Sequence, residues 1–165
     1  FETFGKGVYT VGFAVHGGKA GNFGNRFDVP PPKDGSVEDL LEANRIILAD
    51  LATDVRGTID APTRVEGPLA LGRGSTIERS RIRGPVVIAE GVTIRDAYVG
   101  PFTAIAEGAT IDHAEIEHSI VLERSRIEHL SQRIESSLIG KEAVVTSSSL
   151  RPRAHRLMVG DSSRV

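Results

Sequence analysis

The chain has five histidines and no cysteine, and that balance limits the chemistry it could do. Disulfides, thiolate metal sites and cysteine nucleophiles are excluded. The sharpest candidate is His113 with His118, separated by four residues. Imidazole nitrogens bind zinc and related ions, but a zinc site takes at least three protein ligands. No histidine lies between His16 and His113 to supply the third, and His129 and His155 stand isolated. The run Gly17-Gly18-Lys19-Ala20-Gly21 has the composition of a phosphate cradle. It lacks the Walker spacing and a clear helix behind it, so it reads as a flexible loop. On this reading no catalytic, cofactor-binding or metal residue is assigned.

Any such side chain would be positioned by a repeat. Gly74-Ser75-Thr76-Ile77 recurs as Gly91-Val92-Thr93-Ile94 and as Gly108-Ala109-Thr110-Ile111, 17 residues apart each time. Ile82, Val99 and Ile116 keep the same interval, as do Ile88, Ile105 and Leu122. Between these, aliphatic residues return every five or six positions, from Ile59 and Val65 through Leu71 to Leu122. Neither the helical period nor strand alternation has that length. Three short strands per turn, each sending one aliphatic side chain to a common axis, account for it. The expected fold is mainly β: a left-handed parallel β-helix of about six coils, preceded by one α-helix and a Gly/Phe-rich N-terminal segment. Gly72, Gly100, Gly140 and Gly160 each follow an aliphatic residue and are expected to serve corners through unusual backbone angles. Glu78, Arg95, Asp112 and Glu128 fall just after inward residues and should point outward. The first three alternate in sign, so they can pair between coils. Beyond Leu122 the steps become irregular through Ile127, Ile134, Ile139, Val145 and Leu150.

Three zones follow. Residues 1–32 form a Gly/Phe-rich segment of unassigned role, ending in Pro30-Pro31-Pro32, which favours an extended connection. Residues 33–53 hold a linker helix, from about Val37 to Leu51. Ser36 is its N-cap, Asp39 gives a weak capping box, and Leu40, Leu41, Ala43, Ile46, Ile47 and Leu51 form its apolar stripe. Residues 54–165 are the solenoid. With 165 residues there is enough chain for one domain with a real core, and with 5% aromatic residues that core must be Ile, Val, Leu and Ala. A net charge of -2 is a poor match to a nucleic-acid binder. No apolar run reaches the length of a membrane span, and no signal-peptide pattern opens the sequence. A cytoplasmic location fits.

Two enzyme classes share this solenoid and are the alternative reading: γ-class carbonic anhydrases and hexapeptide-repeat acyltransferases. The former carry a histidine pair of similar spacing plus a third histidine upstream. Here His113 and His118 each stand two residues after an inward aliphatic, Ile111 and Ile116, so they occupy equivalent outward corners on different faces. The latter use a histidine on a long loop extruded from one coil, and the coils from Ile59 to Leu122 leave no room for one.

The stretch from Asp34 to Leu51 contains Glu38-Asp39-Leu40-Leu41-Glu42-Ala43-Asn44-Arg45. It resembles the linker helix of long-form glucose-1-phosphate thymidylyltransferases, in which such a helix leads into a left-handed β-helix. Helix and solenoid together cover about four fifths of the chain. The resemblance implies a parent enzyme that joins dTTP and glucose 1-phosphate into dTDP-glucose and pyrophosphate with magnesium. The Gly-rich signature that opens the catalytic domain in that family is absent, and Asp34 lacks the Trp and Thr that flank the family's metal-binding aspartate. The expectation is therefore a C-terminal assembly or regulatory β-helix domain without the catalytic nucleotide-binding domain. It should hold no cofactor of its own and present no strong small-molecule site. Its expected partner is a further copy of itself, with a trimer favoured, and neither nucleic acid nor membrane.

Overall fold

A computed structural model describes residues 36–147 of the chain, together with a two-stranded antiparallel pairing of Glu2–Thr3 with Tyr9–Thr10. The Gly17–Gly21 run, Asp34, His16, His155, Leu150 and Gly160 lie outside the described residues.

The helix spans Val37–Ala49, and the Ser36 hydroxyl accepts a hydrogen bond from the Asp39 N–H. Glu38 and Asp39 in the first turn complement the positive end of the helix dipole. Its buried seam is Leu41, Asn44 and Leu48, at helical spacing. This differs from the expected stripe: Leu40, Ile46 and Ile47 are only half-buried, and a polar residue takes the middle of the seam.

After the helix the chain winds as a left-handed parallel β-helix with three sheets. The first face stacks strands 58–59, 76–78, 93–95, 110–112, 126–128 and 144–146. The second stacks 64–66, 81–83, 98–99, 115–117 and 134–135. The third stacks 54–55, 69–71, 86–88, 103–105, 120–121 and 138–139. Two faces thus carry six strands and one carries five, so the described solenoid makes about five full turns rather than six.

Register follows the sequence repeat. Ile77, Ile94, Ile111, Ile127 and Val145 align on the first face, and Ile82, Val99, Ile116 and Ile134 on the second. These columns point inward, and the middle coils bury them completely. Small residues fill the corners between them: Ala97 and Ala114 at one, Val92 and Ala109 at another. Buried serines there tie coil to coil. The Ser75 hydroxyl donates to the Ala89 carbonyl at 2.7 Å and accepts from the Val92 N–H at 2.9 Å.

Two expectations need correction. Ile105 pairs with Val121, not Leu122, because the coil from Ile111 to Ile127 is one residue short and the next is one long. Leu122 is left half-buried, one position past the axial column. The corner glycines also act differently. Left-handed backbone falls at Gly67, Gly74, Gly91 and Gly108, whereas Gly72 and Gly100 have ordinary angles. Gly72 is required for space: a Cβ there would lie 2.5 Å from the Ala89 carbonyl carbon of the next coil.

Candidate functional site

The third face differs from the others on its outer side. Its outward column is Ala70, Val87, Ala104 and Ile120, all buried. Leu48 of the helix packs against Ala70, Val87 and Ala104, with Leu51 and Phe102 at the margin. Asn44 donates from Nδ2 to the Phe102 carbonyl at 2.9 Å, which satisfies two groups the helix would otherwise bury unpaired. His118 sits at the neighbouring corner, edge-on to the Phe102 ring with centroids 6.4 Å apart.

The outer sides of the first two faces are charged. Arg64, Arg81, Tyr98, Glu115 and Arg133 occupy one outward column of the second face. Arg133 lies 4.7 Å over the Tyr98 ring and pairs with Glu115 at 3.0 Å and Glu117 at 3.2 Å. On the first face Arg95 approaches Glu78 at 3.6 Å, so the expected pairing between coils holds there. It stops at that pair: Asp112 engages His113, and Glu128 engages Arg126 within its own strand.

Between these two faces a corner stacks Arg79, Asp96, His113 and His129 on four successive coils, every one in the left-handed region with φ between 45° and 53°. Asp and His tolerate that conformation better than most residues, which accounts for two of the types found there. Arg79 donates to both Asp96 oxygens, at 2.9 and 2.7 Å. These bonds, and then the guanidinium charge, hold the Asp96 carboxyl below the usual aspartate range. His113 Nδ1 lies 2.6 Å from Asp112 Oδ1, and its Nε2 lies 3.8 Å from Asp96 Oδ2. The His113 and His129 rings stack with centroids 5.1 Å apart, tilted by 35°. An open depression beside this column is lined by Arg64, Tyr98, Glu115 and Leu130 among others.

The structure therefore sends His113 and His118 to separate corners, as their positions after Ile111 and Ile116 imply. It corrects the reading of His129, which is not isolated but stacks on His113. The 16-residue step between them equals the one short coil, so the 17-residue repeat hides the match. The described coils extrude no long loop, so the feature that marks the acyltransferases is missing from them. No described helix is long and apolar enough to cross a membrane.

No family model matches the chain. Curated relatives do. Over 131 residues, 79% of its length, it is 44% identical to a glucose-1-phosphate thymidylyltransferase of Streptomyces antibioticus. A stretch that long takes in most of the helix and solenoid. The likeness is to the C-terminal part of glucose-1-phosphate thymidylyltransferases. Identity to the enzyme of that name from Streptomyces griseus is 40% over 130 residues. It is 40% over 134 residues with a low-salt glycan biosynthesis nucleotidyltransferase of Haloferax volcanii. The chain spans only 36% of either thymidylyltransferase and 37% of the archaeal protein. The resemblance of residues 34–51 to the linker helix of these enzymes thus extends into the solenoid.

Proposed function

We propose that this chain is the C-terminal assembly and regulatory β-helix domain of a glucose-1-phosphate thymidylyltransferase. The observation that carries the reading is the partial match: most of this chain aligns with about a third of each relative's length. The parent reaction would join dTTP and glucose 1-phosphate with magnesium, on a nucleotide-binding domain that this stretch lacks. Within such an enzyme a solenoid offers flat faces on which copies can associate. The helix occupies the third face, leaving the first and second for a further copy, and a trimer is the favoured number. Residues 33–53 serve as the linker, residues 54–165 as the assembly body, and the Gly/Phe-rich residues 1–32 have no assigned task. A cytoplasmic location suits an enzyme of sugar nucleotides. Neither nucleic acid nor membrane is a partner, and the domain requires no cofactor of its own.

The test pairs sedimentation analysis with a pyrophosphate-release assay containing dTTP, glucose 1-phosphate and magnesium. A folded oligomer with no turnover is the expected result. Magnesium-dependent turnover would overturn the reading by revealing a catalytic site within these residues. A strictly monomeric chain at high concentration would remove its assembly role.

A further inference from the structure

Of the two faces that the helix leaves open, the second carries its charge in an ordered way. Each coil presents two outward positions there, one on either side of the inward residue. At the first coil these are Arg64 and Glu66, and at the fifth Arg133 and Glu135, so both ends are balanced. The second coil offers two arginines, Arg81 and Arg83, and the fourth two glutamates, Glu115 and Glu117. The third, between them, is uncharged, with Tyr98 and Gly100. Ion pairs within the chain keep this polarity. Arg81 reaches Glu66 at 3.0 Å, but the exposed Arg83 makes no ion pair among the described residues. Glu115 and Glu117 share one cation, Arg133, at 3.0 and 3.2 Å. One half of the face is thus left with positive charge and the other with negative.

Turned end over end, this pattern is its own complement. A surface meets an identical surface across a two-fold axis. Let that axis run between the faces, along the strands, at the level of Tyr98. The arginine coil of each copy then lies against the glutamate coil of the other, twice over. The balanced end coils meet each other, and the uncharged coils meet at the centre. Packed sheets stand about 10 Å apart, a gap that arginine and glutamate side chains reaching from both sides can span. Copies aligned in the same direction would set Arg81 and Arg83 against themselves, and the glutamates likewise, which repels. We propose that the second face is a self-association surface, on which a second copy of this chain docks antiparallel about a two-fold axis at Tyr98. This contact rests on the assembly role proposed above and adds to it a face and a symmetry. A three-fold contact joins unlike surfaces and is separate from it. An assembly that includes the two-fold contact holds an even number of copies. Single exposed ion pairs add little affinity, so the charges act mainly by fixing direction and register.

The test is sedimentation equilibrium of the untagged full chain, of Arg83→Glu, of Glu117→Arg, and of the two variants mixed in equal amounts. The native chain should pair, and pairing should weaken severalfold as salt screens the charges. Each variant alone sets like charges together and should pair about tenfold or more weakly. Mixed, the two should pair close to the native affinity, because each supplies the charge that the other lacks. A defect confined to one chain, such as loss of the Glu117–Arg133 bond, would not be repaired by a partner. Arg83→Glu pairing as tightly as the native chain would overturn the proposal, and so would a mixture no better than its components. A native assembly that is purely trimeric would overturn it while leaving the assembly role standing. A native chain that stays monomeric would remove both.

Discussion

The third face and the first face are built on the same inward lining yet meet their surroundings in opposite ways. On the first, Ile77, Ile94 and Ile111 point to the axis, while Thr93 and Arg95 flank Ile94 toward solvent. On the third, Leu71, Ile88 and Ile105 point to the axis, and the outward column Ala70, Val87 and Ala104 lies under the helix. The inward columns make the coil, and the outward column decides what lies against it. A face with small apolar outward residues gives a helix a flat dry seat, and a face of alternating charge stays wet.

An aspartate placed outward on each face breaks the comparison most sharply. Ala104→Asp buries an unpaired charge under the helix and should cost about 3–5 kcal/mol. Thr93→Asp, outward on the first face, should stay within about 0.5 kcal/mol. Urea unfolding of the two variants measures the difference, and equal losses would show that the helix does not seal the third face. Leu48→Ala truncates the helix's own anchor. A loss at the lower end of about 2–5 kcal/mol is expected, with amide exchange quickening in the helix before the first-face strands. Asn44→Ala leaves the Phe102 carbonyl without its donor, at roughly 1–3 kcal/mol. A stability change near zero would mean that water replaces the amide.

The smallest effect belongs to the exposed corner. The carboxyl of Asp96 is held below its ordinary value, first by the Arg79 hydrogen bonds. A depressed folded value means that the unfolded chain binds the proton more readily, so the ionised pair favours folding at neutral pH. That contribution is complete above the ordinary aspartate value near 3.8 and is withdrawn as pH falls through the lower folded value. Asp96→Asn should therefore be slightly less stable than the native chain at pH 7, and the gap should close in acid. A gap that persists at pH 2 would assign the effect to packing.

Much of this fold could be read in advance because the repeat is strict where the core is strict. The recurrence of Thr76-Ile77, Thr93-Ile94 and Thr110-Ile111 gave the register of the first face directly. Where two adjacent residues are both aliphatic, as at Val121 and Leu122, hydrophobicity alone does not say which faces the axis. The hydrogen-bonded stack chose Val121 by drawing one residue out of that coil. The same omission concealed the His113–His129 pair. The seat of the helix was legible in principle, since Ala70, Val87 and Ala104 each immediately precede an inward aliphatic residue. Asn44 was not, because a polar residue within an apolar seam announces itself only when the carbonyl it serves is in view. Crowding and backbone angle both select glycine, and only the folded chain separates Gly72, which needs the space, from Gly74, which needs the angle.

The helix also changes how the stack comes apart. Coils that touch only their neighbours behave as a linear array, able to fray from either end one unit at a time. Leu48 shares one buried cluster with Ala70, Val87 and Ala104, which belong to three consecutive coils. Helix and coils thus share one apolar cluster, so a coil that opens there disturbs the seat of the helix as well. The half-buried Ile134, Ile139 and Val145 lie beyond that cluster. The first described coil, with Val55 and Val65 exposed, lies outside the same cluster, so the array is tied at its middle and looser toward both described ends.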